Sequence, residues 1–382
     1  MLRALHSRLR AGLSAPARLR LDVALKSASG LRSMWRQPVQ LVTGTPGAAG
    51  VPASVAFAGT LPQQRSWFAA FFGDTAQVQT LGNVTLFDVI LGRGALTAVD
   101  AIVCPTNPLL ERFMPADRWF IVPKFLDAQI DLSLPLDRLI RGSRTKNDQR
   151  SACKIGYSFH ELREEEVFDE YYDHMLVPTV KLRHGERAFV SSRDSQREAF
   201  RRGHLLAAYV DDIWLGAFLM VPESATAISW ATVGWRDGSE ELMKKLIVSA
   251  LLSEAIVRSK AAGYSHLNLG NCLPFVNDGP MNFKLKWGAS LTLPSIGHSD
   301  GVLHGVNGYA AVRVNLNSEG AQALLRHCPL LVRGNAGLQA IGWQSTLRSD
   351  FKHQVDAGLP WIDLAELAGS AERLPVDVEG PR

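Results

Sequence analysis

The chain has 382 residues, enough for two ordinary domains or one duplicated architecture with a sizeable core. Its composition, 46% apolar and 20% charged, excludes a disordered body. Residues 1–37 hold Arg3, Arg8, Arg10, Arg18, Arg20, Lys26, Arg32 and Arg36 against Asp22, a net +7; the overall +4 therefore leaves −3 on the remaining 345 residues, which removes any global nucleic-acid signature from the body.

The arm comes first in chain order. Leu2, Leu5, Leu9 and Leu13 fall near helical spacing among its arginines, and it lacks the apolar run of a signal peptide. Three readings stay open for it: a solvated arm, a membrane-surface or partner helix, or an organelle transit peptide. The uncharged stretch Gln37–Gln64 contains Pro38, Pro46, Pro52 and Pro62, so it reads as strand, loop and strand rather than a membrane span. Strands are expected at Val39–Thr43 and Ser54–Ala58, and a helix at Leu61–Phe72 with Trp67, Phe68, Phe71 and Phe72 as core. Further strands are expected at Ala76–Leu81, Val84–Leu91 and Trp119–Val122.

A basic helix is expected over Leu136–Lys154, then a strand at Ile155–Glu161, an acidic aromatic helix at Glu164–Leu176 facing solvent, and a shorter helix at Asp194–Arg202. The apolar runs His204–Val210 and Trp214–Val221 flank Asp211-Asp212, a hairpin signal. Ala225–Trp235 reads as a third strand. Asp237, with Glu240 three residues on, predicts a capping box opening one helix from Ser239 to Ala262, which Gly263 stops. Ser265–Leu269 reads as a strand, and Gly270–Pro280 as a polar loop. Ala310–Leu316 is a late strand, Glu319–Cys328 a late helix, and the chain after Ala365 a frayed tail. Strand-like and helix-like periods alternate throughout, which argues for an α/β fold. Cys104, Cys153, Cys272 and Cys328 are scattered, with no CxxC and no histidine at zinc spacing, so neither disulfides nor a metal is expected and a reducing compartment fits.

Four pieces in this order resemble the FemAB-like branch of the GNAT acetyltransferase superfamily. They are the run RTKNDQRSACKIG from Arg144 to Gly156, the hairpin His204–Val221, the long helix ending AAGY at Tyr264, and LNLGNCLPF (Leu267–Phe275) followed by FKLKWG (Phe283–Gly288). The resemblance implies a GNAT-like α/β fold in two tandem units with mixed central sheets. The divisions it suggests are a basic arm (1–37), a degenerate GNAT-like domain (38–135), a FemAB-like domain (136–296), a C-terminal extension (297–365) and a flexible tail (366–382).

It also implies an enzyme, an N-acyltransferase moving an acyl group from acyl-CoA to an amine of a small-molecule, lipid-linked or nucleotide-sugar acceptor. It would be cytoplasmic, or peripheral at the inner membrane. An aminoacyl-tRNA-dependent transferase is the alternative enzyme; it would want a basic body, so the −3 body argues against it, while the +7 arm leaves room for tRNA, and other nucleic acid is not expected. A non-catalytic scaffold in a polysaccharide or envelope assembly system is the alternative from another class.

Acyl transfer to an amine needs a lost proton, an oxyanion donor and orientation, and no fixed nucleophile. Lys284, in the segment matching the family's Phe-Lys motif, is the first candidate for binding a phosphate or an oxyanion; the alternative is a solvated basic turn. In the loop after Leu269, Asp278 is a candidate base, and Asn271, Asn277 and Phe275 are candidate substrate contacts; Asx-turn chemistry is the alternative. His266 is either a base or a core histidine. Tyr157 is either an acid for a leaving thiolate or core. Arg144, Lys146 and Arg150 would grip a phosphate-bearing substrate, or form a solvated face. Relatives that bind acetyl-CoA carry a glycine-rich phosphate loop before the long helix; here the place reads VGWRDGS, so Gly234, Arg236, Gly238 and Ser239 are the cofactor candidates, opposed by Asp237, Glu240 and Glu241.

Overall fold

The computed structural model describes residues 13–47, 50–61, 64–116, 118–140, 145–184, 191–299, 302–335, 337–343 and 359–366. The chain divides into two compact units. The first comprises Met1–Leu126, Leu273–Asp278 and Leu293–Arg382, and the second Asp127–Cys272 and Gly279–Thr292. The outer part of the arm and the tail lie outside the described residues, as does Arg144.

The first unit is built on a mixed six-stranded sheet, ordered Gln77–Thr85, Arg36–Gly44, Ala53–Ala58, Ala101–Thr106, Tyr309–Val314 and Trp119–Pro123. Ala53–Ala58 and Ala101–Thr106 run parallel, and the other neighbours antiparallel. The period of two along a strand gives each face its own core. Val55 and Phe57 join Trp67, Phe71, Val312 and Leu324 on one side; Ala56 and Ala58 join Val39, Val89, Ile102 and Trp119 on the other. The stretch 297–365, expected as an extension, instead supplies an inner strand of this sheet. It also supplies a capped helix, Glu319–His327, in which Ser318 accepts from the Ala321 amide. No short-range pattern could announce that pairing, because its partners lie far away in sequence.

One further expectation changes locally. Leu86–Leu91 is a helix, not a strand, because Thr85 and Asp88 close a capping box and Gly92 ends it in a left-handed conformation at φ 62°. The arm is helical over Ala15–Met34, with Pro16 in its first turn, where a missing N–H does no harm.

The second unit has a seven-stranded sheet, ordered Ser290–Thr292, Leu126–Asp131, His266–Cys272, Ala227–Trp235, Ile213–Pro222, His204–Val210 and Ser158–Leu162. Asp211 and Asp212 both take positive φ, at 48° and 60°, as a tight hairpin between twisted strands requires. Ala227–Trp235 pairs in parallel with His266–Cys272 only over Ala227–Ser229, and the two strands then splay. The long helix Ile247–Ala261 buries Ile247, Leu251, Leu252, Ala255 and Ile256, and Gly263 follows at φ 87°. This is the mixed α/β fold the resemblance implied.

Of the expected helix Leu136–Lys154, the described residues are helical over Leu136–Ile140 and Lys146–Ile155. A second expected helix is broken. Ser239–Ala262 becomes Glu240–Lys244 and Ile247–Ala261, with Leu246 left-handed at φ 60° between them. Asp237 is itself at φ 55° and cannot be the expected cap. The acidic helix does face solvent with its charges: Asp169, Asp173 and Glu165 pair with Arg193, Arg197 and Arg201 of helix Arg193–Arg202. Its other side buries Phe168, Tyr171 and Met175.

A cavity of about 150 Å³ near the C-terminal end of the long helix is lined by His204 together with Glu161, Arg163 and Arg258. Burial holds the His204 imidazole below its ordinary 6.5, with Arg163 and Arg258 adding to the shift and Glu161 opposing it. The folded chain therefore prefers this histidine neutral, and the unfolded chain binds its proton first. Stability from the group is present above the ordinary histidine range and is lost as pH falls through it. Going from neutral to mildly acidic buffer, the wild-type urea midpoint is expected to fall further than that of His204→Leu. Equal falls would remove His204 as a source of the acid sensitivity.

Candidate active site

The site is built where the second unit's sheet opens. Lys284, on helix Gly279–Lys286, is only 7% exposed. Its ammonium donates to the carbonyls of Gly270 (3.1 Å) and Asn271 (2.9 Å) at the C-terminal end of strand His266–Cys272. Gly270 takes φ 72°, and Asn268 Oδ1 accepts its amide at 2.8 Å. A buried lysine is tolerated only with such partners. The result is a fixed positive charge beside the opening, at the strand end where α/β sheets present ligands.

Asp127, on strand Leu126–Asp131, lies in the field of Lys284. Desolvation raises its carboxyl above the usual carboxylate value, and Lys284 opposes the shift. The sequence pattern carried a signal for this strand, the alternation Leu126, Ala128, Ile130, all now fully buried.

The other expected residues of this unit are placed apart from Lys284 or are already engaged. His266 starts the strand whose far end Lys284 caps, and its Nδ1 is buried with no hydrogen-bond partner. Tyr157 donates to the Lys245 carbonyl at 2.9 Å, and burial pushes its pKa up to about 12. Its proton is therefore held, not offered. Lys146 and Arg150 are exposed on helix Lys146–Ile155. On the same helix Asp148 accepts from Ser249 Oγ (3.2 Å) and Lys286 Nζ (2.5 Å), bringing a negative charge to the first turn of the long helix. An anion at a helix N-terminus would meet that carboxylate.

The turn from Gly234 to Ser239 is filled by the chain itself. Thr179 Oγ1 accepts from the Trp235 amide (3.0 Å) and donates to the Trp235 carbonyl (3.1 Å). Arg236 donates through Nε to the Trp214 carbonyl (2.9 Å) and pairs with Glu170 (2.8 Å). A Cβ at Gly238 would come within 2.9 Å of the Pro178 carbonyl oxygen, and the Ser239 carbonyl accepts from Trp235 Nε1 at 3.1 Å. A Cβ on Gly234 would stand 2.5 Å from the Leu176 backbone nitrogen and 2.6 Å from the Met175 carbonyl carbon. Backbone cannot yield as a side-chain tip does. Gly234→Ala is expected to destabilise the protein by about 1–3 kcal/mol, read as a lower denaturant midpoint. Unchanged stability with lost donor binding would make the glycine a cofactor contact instead.

The expected pocket loop Asn271–Asp278 is divided. Asn271 and Cys272 end a strand of the second unit, while Leu273–Asp278 belongs to the first. There it is stitched to 327–331. The Val276 amide donates to the Pro329 carbonyl, the Leu331 amide to the Pro274 carbonyl, and Asn277 Nδ2 to the His327 carbonyl. Phe275 is buried in the first unit's core. Asp278 lies near Cys328, whose thiol burial pushes well up, with Asp278 adding to the shift.

Among the described residues, no group of three or more histidine, cysteine, aspartate and glutamate side chains could hold a metal ion, and no helix is long and apolar enough to cross a membrane.

No family model and no curated protein matches the chain. Similar solved structures include the C-terminal domain of a lysylphosphatidylglycerol synthetase from Agrobacterium fabrum, at 14% identity and TM-score 0.35, covering 80% of this chain and 92% of that one. Another is L-PGS from Bacillus licheniformis, at 12% identity and TM-score 0.35, covering 76% and 85%. FemX matches at 11% identity and TM-score 0.37, covering 75% and 90%. At these values the likenesses are loose and carry nothing about donor or acceptor.

Proposed function

We propose that the second unit transfers an acyl-type group from an activated donor to an amine, with Lys284 as its central charge. The observation that carries this reading is the buried ammonium held by the Gly270 and Asn271 carbonyls at the splayed end of the sheet. In this reading Asp127 takes the proton from the acceptor's ammonium; a carboxylate whose pKa burial raises is a stronger base than an ordinary one. The free amine attacks the acyl carbonyl, a C–N bond forms, and the oxygen gathers negative charge that Lys284 stabilises. The intermediate collapses by breaking the bond to the leaving thiolate or ribose oxygen, which takes up a proton.

The first donor reading is acyl-CoA, with an amine of a small molecule, lipid-linked intermediate or nucleotide-sugar as acceptor. The self-filled turn from Gly234 to Ser239 favours a second, aminoacyl-tRNA, because a thioester donor's pyrophosphate finds Thr179 bonded to Trp235 and Arg236 already paired with Glu170 and the Trp214 carbonyl there. The basic arm, with its helix Ala15–Met34, is the segment proposed to meet an anionic membrane surface or a partner, consistent with a cytoplasmic protein peripheral at the inner membrane.

Calorimetric titration of the full chain with acetyl-CoA, longer acyl-CoAs and charged tRNA, at two salt concentrations, separates the donors. Saturable CoA binding weakened by Lys284→Ala supports the thioester reading. Salt-steep binding of charged tRNA alone supports the second. No heat with any donor refutes both and leaves a scaffold.

A further inference from the structure

Helix Ala15–Met34 lies along the segment 107–113 of the same unit, and a fully buried asparagine joins them. Asn107 Nδ2 donates to the Ser27 carbonyl at 3.3 Å, while its Oδ1 accepts from the amides of Leu109 and Leu110, each at 3.0 Å. A Cβ on Gly30 would stand 3.3 Å from Asn107 Nδ2, so helix and segment meet closely there. Lys26 Nζ adds a second tie, to the Leu303 carbonyl at 2.5 Å.

N-terminal to that contact, helix and segment leave a cavity of about 410 Å³ between them, within the range of small-molecule pockets, roughly 300–1,000 Å³. Leu19 and Val23 share one helix face with Ser27, at four-residue spacing, and Leu109 and Ile296 complete the apolar wall. Arg20 of the helix and Arg112 of the segment also line the cavity; both are exposed, and among the described residues no hydrogen bond or ion pair holds either guanidinium. Among the described residues no acidic side chain lines it, and Glu111, next to Arg112 in the chain, is paired with Arg333. The remaining polar residue on the wall is Ser27, 1% exposed, whose hydroxyl has no hydrogen-bond partner. A serine inside a helix ordinarily bonds back to the carbonyl four residues earlier or faces water. A buried hydroxyl that does neither costs free energy until an acceptor meets it.

We propose that this cavity binds one molecule of a free fatty acid, its alkyl chain against Leu19, Val23, Leu109 and Ile296 and its carboxylate answering Arg20, Arg112 and the Ser27 hydroxyl. Apolar walls, two cations, an orphan donor and no lining acid complement an anionic amphiphile and nothing uncharged or cationic. The concavity favours a single dissolved molecule over a bilayer, which is met by an outward-facing apolar surface. The cavity lies wholly within the first unit and stands apart from the transfer chemistry proposed for the second.

The test is calorimetry on the full chain with decanoate below its micelle-forming range, with decan-1-ol, and with phosphatidylglycerol vesicles. Saturable binding of one decanoate per chain is expected, with decan-1-ol about tenfold weaker because it brings no charge. The double variant Arg20→Gln/Arg112→Gln, at two exposed positions, should lower decanoate affinity about tenfold and leave decan-1-ol unmoved. Ser27→Ala should weaken decanoate, while the ligand-free variant melts no lower than the wild type because it loses an unsatisfied hydroxyl. Val23→Trp, which fills the cavity, should abolish binding of both ligands; if it fails to fold, the arginine variant decides. No saturable decanoate binding by the wild type, binding to vesicles alone, or decanoate affinity undiminished in the folded variants overturns the proposal.

Discussion

Replacing Lys284 with alanine is expected to lower donor turnover about 10²–10³-fold, the usual loss when one preorganised oxyanion donor is removed. Release of thiol from acyl-CoA, or of free amino acid from charged tRNA, in the presence of a mixed amine pool is the readout. The variant has a structural cost as well. The side chain is 7% exposed and holds the Gly270 and Asn271 carbonyls, so truncation takes a charged donor from both; about 1–3 kcal/mol of stability should go with it. Lys284→Gln keeps a donor without the charge and separates the two effects. If charge is what matters, glutamine recovers most of the stability and little of the turnover. Turnover per folded molecule that survives in both variants would reduce Lys284 to a strap on the strand end, and the transferase reading would lose its central observation.

Local chemistry wrote part of this architecture into the sequence. Asp211-Asp212 marked the hairpin because short polar side chains tolerate the positive φ that a tight turn demands. Gly263 marked a helix end for the same reason. Lys284 was legible through its place after Phe283 in a family-like segment. The missed features have in common that their cause is tertiary. Leu246 interrupts what reads as one apolar helical period, and nothing in a leucine announces a left-handed residue. Thr179 lies past the end of the expected helix Glu164–Leu176, yet it clamps both backbone groups of Trp235. Gly234 and Gly238 looked like the remnants of a phosphate loop; their missing Cβ atoms make room for Met175, Leu176 and Pro178 instead. A glycine in a sequence states a capacity, and packing decides how it is used.

Phe275→Ala is expected to be among the most destabilising single changes in the chain, by about 3–5 kcal/mol. The sequence suggested a substrate contact in a polar loop. In the fold the ring is 1% exposed and meets Trp67 edge-on at 5.0 Å between centroids and Phe71 at 5.6 Å. Trp67 and Phe71 come from helix Gln64–Phe72, and Phe57 of the first sheet packs beneath both. Phe275 thus anchors the short segment Leu273–Asp278 in the first unit's core. Alanine there leaves a cavity among rigid rings that have little freedom to close it. Phe275→Leu, which keeps most of the volume, should fall well short of the alanine loss. A double-mutant cycle with Phe71→Ala should show coupling of about 0.5–1.5 kcal/mol, because each ring loses the same edge contact. Denaturant unfolding of the full chain, with hydrogen exchange followed in strand Ala53–Ala58, localises the loss to the first unit. Near-native stability in Phe275→Ala, with a raised KM for a donor, would return Phe275 to the role the sequence suggested and deny it the one the core assigns.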